Sequence, residues 1–196
     1  PGRSEWPRLE DMDVTLYFDR RRLDIELAGA RILSTRVTSG SARMPNLWQP
    51  EHLRIEAEGT GPLTDGLKVL AETPLAEKLG GIAEALAAEG RGRLRLELDV
   101  PLRRGLEFGY AGRLGLLEDA AVALRASELR FADLEGSLRF DRSGLHAEDI
   151  AARLGAQPLR VDVETHGPDA GENAGRTDIV ARGNTPAARL AEVLPS

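Results

Sequence analysis

The chain has no cysteine, so disulfides and thiolate-bound metals are excluded, while the redox compartment is left open. Aromatic residues are scarce at 4%, and the 41% hydrophobic content is carried by Leu, Val, Ile and Ala. No apolar run approaches the ~20 residues of a membrane-spanning helix, and no signal peptide is visible. Positive charge is in deficit: the net charge of −6 argues against nucleic acid or an anionic surface as partner, because phosphate backbones need concentrated Lys and Arg. The run Arg20-Arg21-Arg22 is a local exception, placed where a hairpin turn is expected.

Catalytic constellations are missing as well. The three histidines, His52, His146 and His166, lie in separate polar segments with no nucleophile motif beside them. No HExxH, calcium loop or Cys/His cluster occurs, so neither a metal nor a cofactor is expected. Gly90-Arg91-Gly92 precedes a strand and lacks the strand-to-helix setting of a phosphate loop. The carboxylate pairs Glu118-Asp119 and Glu148-Asp149 fall in turns or at strand edges, where solvated charge explains them. The expectation is a protein that is not an enzyme.

What is present is alternation. In Arg91–Val100, Leu94, Leu96, Leu98 and Val100 point one way, and Arg93, Arg95, Glu97 and Asp99 the other. Strand side chains have a period of two, so such a segment is dry on one face and wet on the other. The pattern returns at Leu106, Phe108 and Tyr110, at Val122 and Leu124, at Leu138 and Phe140, and at Leu159, Val161 and Val163. Earlier strands are predicted at Val14–Phe18, Leu23–Leu27, within Gly29–Arg43 (with Gly40 as a turn or bulge) and at Leu53–Ala57. Gly59-Thr60-Gly61-Pro62 is expected to break the pattern, and Leu116–Asp119 to be a further short strand. Asp141–Gly144 has hairpin chemistry, and His166–Gly175 that of a loop.

Between residues 61 and 90 the period lengthens. Leu63, Leu67 and Leu70 share one helix face. Thr73-Pro74 then opens a second helix with Leu75, Leu79, Ile82 and Leu86 in line and Gly90 as its C-terminal cap. Thr185-Pro186 opens a terminal helix in the same way, a weak internal repeat. Strands over 1–60, a helical pair over 61–90, strands over 91–182 and a final helix over 183–196 make a mostly β fold with a helical insert. The start at Pro1 and the stop at Ser196 suggest one segment of a longer repetitive protein.

About ten strands with a common dry face need something to cover it, and two short helices cover only part. The sheet can fold into a β-sandwich, close as a barrel, or curl into an open groove holding a nonpolar ligand. Aliphatic walls without a convergent polar group suit acyl chains. By periodicity alone, the sandwich is favoured.

A resemblance shifts that balance. The segment Leu134-Glu135-Gly136-Ser137-Leu138-Arg139-Phe140, followed by Gly144-Leu145-His146-Ala147 and Ile150-Ala151-Ala152-Arg153-Leu154-Gly155-Ala156-Gln157-Pro158, resembles the YhdP-type branch of the AsmA-like proteins. Gly61-Pro62-Leu63, Thr73-Pro74-Leu75, Gly92–Leu98 and Pro101-Leu102 resemble it in the same order, and the likeness covers roughly Trp6 to Thr165. It implies a curved antiparallel sheet forming an open groove, the periplasmic portion of a protein anchored in the Gram-negative inner membrane through parts not present here. The implied role is passive passage of phospholipid between the two membranes. The expected lipid-facing row is Leu94, Leu96, Leu98, Val100, Leu106, Phe108, Val122, Leu124, Leu138, Phe140, Leu159, Val161 and Val163. Expected partners are phospholipid acyl chains and neighbouring segments of the parent chain. The alternatives are a scaffold with no lipid in the groove, or a cell-envelope interaction module; Trp6, Trp48 and Tyr17 are too scattered to favour the latter.

Overall fold

The computed structural model describes residues 8–72, 85–126, 129–166 and 176–183. Twelve strands form one open antiparallel sheet: β1 (Leu9–Asp19), β2 (Arg22–Ile32), β3 (Thr35–Met44), β4 (His52–Pro62), β5 (Leu86–Glu89), β6 (Arg91–Pro101), β7 (Gly109–Leu116), β8 (Ala121–Leu124), β9 (Arg130–Asp141), β10 (Gly144–Leu154), β11 (Gln157–His166) and β12 (Thr177–Arg182). The single helix among the described residues, α1 (Leu63–Glu72), follows β4 directly. The hydrogen-bonded order is β1-β2-β3-β4-β6-β7-β9-β10-β11-β12, with β5 on β8 and β8 on β9.

Two rows of the sheet are broken strands. The β6–β7 ladder runs from Asp99↔Gly109 to Gly92↔Leu116, and the β5–β8 ladder resumes beyond it at Glu89↔Ala121. Gly90 and Leu117–Ala120 make the jog between them, so β5 continues the row of β6 and β8 that of β7. Gly90 has φ +81°, and a Cβ there would overlap the carbonyl of Asp119, itself at φ +57°. Only glycine fits.

Irregularities of the same kind lie across much of the sheet. Register shifts occur between Glu10 and Val14 in β1, between Val37 and Ser39 in β3, and between Ala147 and Ile150 in β10. Asp11, Asp119 and Asp149 hold a positive φ at or beside these points, and Asp133 does so where β9 shifts against β10 between Ala132 and Glu135. Aspartate tolerates the left-handed region better than most residues. Such bulges bend a strand and raise its twist.

The hairpins at Asp19–Arg22 and Asp141–Gly144 form as their composition predicts. Several other expectations are corrected. The strand β4 runs on through Gly59 to Pro62 because Gly59 and Gly61 lie hard against Arg36 and Thr35 of β3, leaving no room for a side chain. Gly40 pairs within β3 and is neither turn nor bulge, the register shift falling at Thr38. Leu116 ends β7, and the residues after it form the jog rather than a new strand. Leu86–Glu89 is strand β5, not the end of a helix, because it pairs with β8; Gly90 turns a strand and caps nothing. The remainder of that second helix, the terminal helix, both Thr-Pro pairs, Trp6 and most of the 166–175 loop lie outside the described residues. Among the described residues there is no second layer of sheet, so the sandwich is replaced by one open sheet. Every residue of β1 is exposed, Phe18 to 69%.

Two glycine substitutions test the jog. Gly90→Ala should destabilise by at least ~2 kcal/mol, through the positive φ and the overlap with Asp119. Gly66→Ala in α1, where nothing lies within 4 Å, should stabilise by roughly 0.5–1 kcal/mol. Thermal and urea melts of the two variants check the contrast.

Candidate functional site: an apolar sheet face

Register decides which side chains share a face, because residues directly opposite in an antiparallel pair project to the same side. One such line reads Leu16↔Ile25↔Ala42↔Ile55↔Leu98↔Tyr110. The next reads Val14↔Leu27↔Gly40↔Ala57↔Leu96↔Gly112↔Phe140↔Leu145. A third reads Gly59↔Leu94↔Leu114↔Leu138↔Ala147↔Val163↔Ile179. These lines carry no charge. They join β1 to β12 as one apolar face across ten rows.

Packing within the face falls into two buried clusters. Leu98, Tyr110 and Phe140 centre the first, with Ile55, Leu94, Leu96, Val100, Phe108 and Leu145 against them. Phe108 stacks on Tyr110, ring centroids 6.2 Å apart. Leu63, Ala88, Ala120, Leu134, Ala147, Ile150, Ala152 and Val161 form the second. Leu138 packs against both, so the clusters are continuous. Glycine and alanine thin the face where rings need space: a Cβ on Gly112 would run into the Phe140 ring.

The helix covers one end of this face. Leu63 sits over Gly92, where an added Cβ would lie 2.6 Å from the leucine Cδ2, and Leu67 packs on the same cluster. Asp65 in the first turn of α1 accepts hydrogen bonds from the Ser34 amide (2.8 Å) and the Thr35 hydroxyl (3.0 Å). That ties the helix to the β2–β3 turn. Towards β1 no described residue covers the same face.

Of the predicted row, Leu94, Leu96, Leu98, Val100, Val122, Leu138, Phe140, Leu159, Val161 and Val163 all belong to these two clusters. Leu124 is half-buried opposite Leu86. Phe108 lies just before β7, and Leu106 sits in the β6–β7 connection, 39% exposed, because β7 starts only at Gly109. The row omitted the partners in β1–β4 (Leu16, Ile25, Leu27, Ile55) and Leu145 and Ile150 in β10. Their alternation was visible in the sequence, but their place on this face follows only from register.

The opposite face is charged and largely paired. Examples are Arg43 with Asp24 (2.9 Å), Arg130 with Glu89 (2.6 Å) and Arg160 with Asp149 (3.4 Å). The Asp149 amide at the β10 bulge, and then the Arg182 guanidinium, hold the Asp162 carboxyl below the usual carboxylate range. Arg176 foremost, with His166, does the same for Asp178, and the Ser143 hydroxyl for Asp141. Among the described residues, no group of acids and histidines could hold a metal ion.

The sequence model of the YhdP protein family matches residues 3–196. The chain belongs to the YhdP family. Comparison with curated proteins and with solved structures yields no match. Membership in the YhdP family suggests, in general terms, a bridge-like role in lipid transport and a place in the cell envelope, in a family not known for catalysis. No helix among the described residues is long and apolar enough to cross a membrane.

The lowered carboxyls give a pH prediction. A folded-state pKa below the unfolded one contributes stability above the unfolded value, and that stability is lost as pH falls through the folded one. Asp162→Asn should therefore melt below wild type at neutrality, with the gap closing as acidification passes below the ordinary carboxylate range. Thermal melts across that range check it.

Proposed function

We propose that this chain is a segment of a periplasmic groove that shields phospholipid acyl chains during passive transport between the inner and outer membranes. The observation that supports it best is the uncharged face running through ten rows and, among the described residues, left uncovered towards β1. At about 4.8 Å between strands, the rows give a floor roughly 43 Å long. Leu94 to Val100 gives it a width of about 20 Å at ~3.4 Å per residue. The bulges supply the bending that turns such a floor into a trough.

The energetics suit this role. Hydrocarbon leaving a bilayer for water costs about 0.8 kcal/mol per methylene, so a lipid with two tails faces roughly tens of kcal/mol. A continuous aliphatic floor offsets most of that, while head groups stay wet at the open side. No bond changes, so no catalytic group is required. Among the described strands β1 and β12 are the edges, where neighbouring segments of a longer chain could pair. Anchorage in the membrane belongs, in this reading, to other parts of such a chain.

Mass spectrometry of lipid extracted from the purified protein tests the reading. Wild type should carry phospholipid, and Leu96→Asp, which sets a charge on the apolar floor, should lose most of it. Glu97→Gln on the opposite face should retain it. Absence of lipid from the wild type, or retention by Leu96→Asp, would favour a scaffold whose face is filled by protein, as α1 already fills one end.

A further inference from the structure

On the charged face, one line sets three arginines in succession. Register sets Arg95 opposite Arg113, Arg113 opposite Arg139, and Arg139 opposite His146. Three guanidiniums thus stand on adjacent strands at cross-strand spacing. Like charges directly opposite one another destabilise a sheet. All three are exposed, and no hydrogen bond or ion pair joins any of them to an acid among the described residues. Arg139 contributes only a lesser, through-space pull on Asp141. Like charges also meet in twos on this face, as at Arg43 with Arg54 and Arg31 with Arg36, but there each pair includes an arginine that reaches an acid: Arg54 lies 3.9 Å from Asp99 and Arg31 2.8 Å from Glu10.

The strands also leave a hollow there. Arg113, Ser137, Arg139, His146 and Glu148 line a shallow cavity of about 180 Å³. Ser137 is the neighbour of Gly115, which has no side chain to fill the space beside it. Two planar forks and a hydroxyl therefore open onto one small volume, the donor set that a tetrahedral oxyanion takes. Glu148 lines the same hollow, Glu58 stands opposite Arg95, and Glu164 lies 4.0 Å from His146. These acids keep the positive field local and disfavour a long polyanion.

We propose that Arg113 and Arg139, with Ser137 between them and Arg95 alongside, form a binding site for a phosphate-bearing anion on the face opposite the apolar one. The anion would relieve the repulsion that the bare sheet carries. The site stands apart from the lipid floor, so its failure leaves that reading untouched.

Calorimetric titration with inorganic phosphate, against chloride at matched ionic strength, tests the free anion. Co-flotation with phosphatidylcholine vesicles, with and without phosphatidylglycerol, tests a lipid head group as its source. Binding in either arm should fall at least about tenfold in the double variant Arg113→Gln/Arg139→Gln. In chloride this variant should melt no lower than wild type, since it removes like-charge contacts. Should the double variant fail to fold, Arg113→Lys carries the test: it keeps the charge, loses the fork, and should bind more weakly. Binding in neither arm, or binding unchanged in these variants, would overturn the proposal.

Discussion

Everything in this molecule depends on register. Antiparallel pairing places opposed residues on one side of the sheet, and side chains alternate along each strand. A slip of one residue in any row would send its leucines to the charged side and its arginines to the apolar one. The ladders shift at the bulges in β1, β3 and β10, yet the apolar residues on either side of each still line up from row to row. Where a bulge intrudes in β3, Ala30↔Val37 and Leu27↔Gly40 still meet across β2, because the two strands depart from regularity at the same level. The apolar floor and the arginine line are two faces of that one constraint.

The departures from regularity are local and chemically specific. Glycine stands where a carbonyl approaches from the neighbouring row, as at Gly90, or where a ring needs the space, as at Gly112. Aspartate stands at the left-handed positions 11, 119, 133 and 149. The bulge at Asp149 is also held electrostatically, its amide donating to the Asp162 carboxylate on β11 (2.8 Å). A feature that bends the backbone is thus secured by a side chain of the next strand.

Much of the fold was legible because the alternation is clean: Arg91–Val100 reads as a strand with the faces it has in the structure. The helix at Leu63 was legible too, from its change of period. The misreadings share a physical cause. Leu86-Ala87-Ala88-Glu89 has high helix propensity and no alternation, yet pairing with β8 makes it a strand, tertiary context overriding local preference. Gly59 and Gly61 look like breakers but serve a close backbone approach within β4. Of the site, the β6 and β9 residues were readable one strand at a time. The lines that cross strands were not, for nothing in the sequence tells Arg95 that Arg113 and Arg139 will be its neighbours.

The meander order has a dynamic corollary. Each row touches chiefly the rows beside it, and α1 packs mainly on the ends of β4 and β5, with Asp65 reaching the β2–β3 turn. Cohesion in such an array is a sum over adjacent contacts rather than the property of one central core. Opening can therefore begin at either margin and travel inward one hairpin at a time, leaving the rows around Leu98 and Phe140 intact. A strip built this way can flex or fray at its borders without losing its middle.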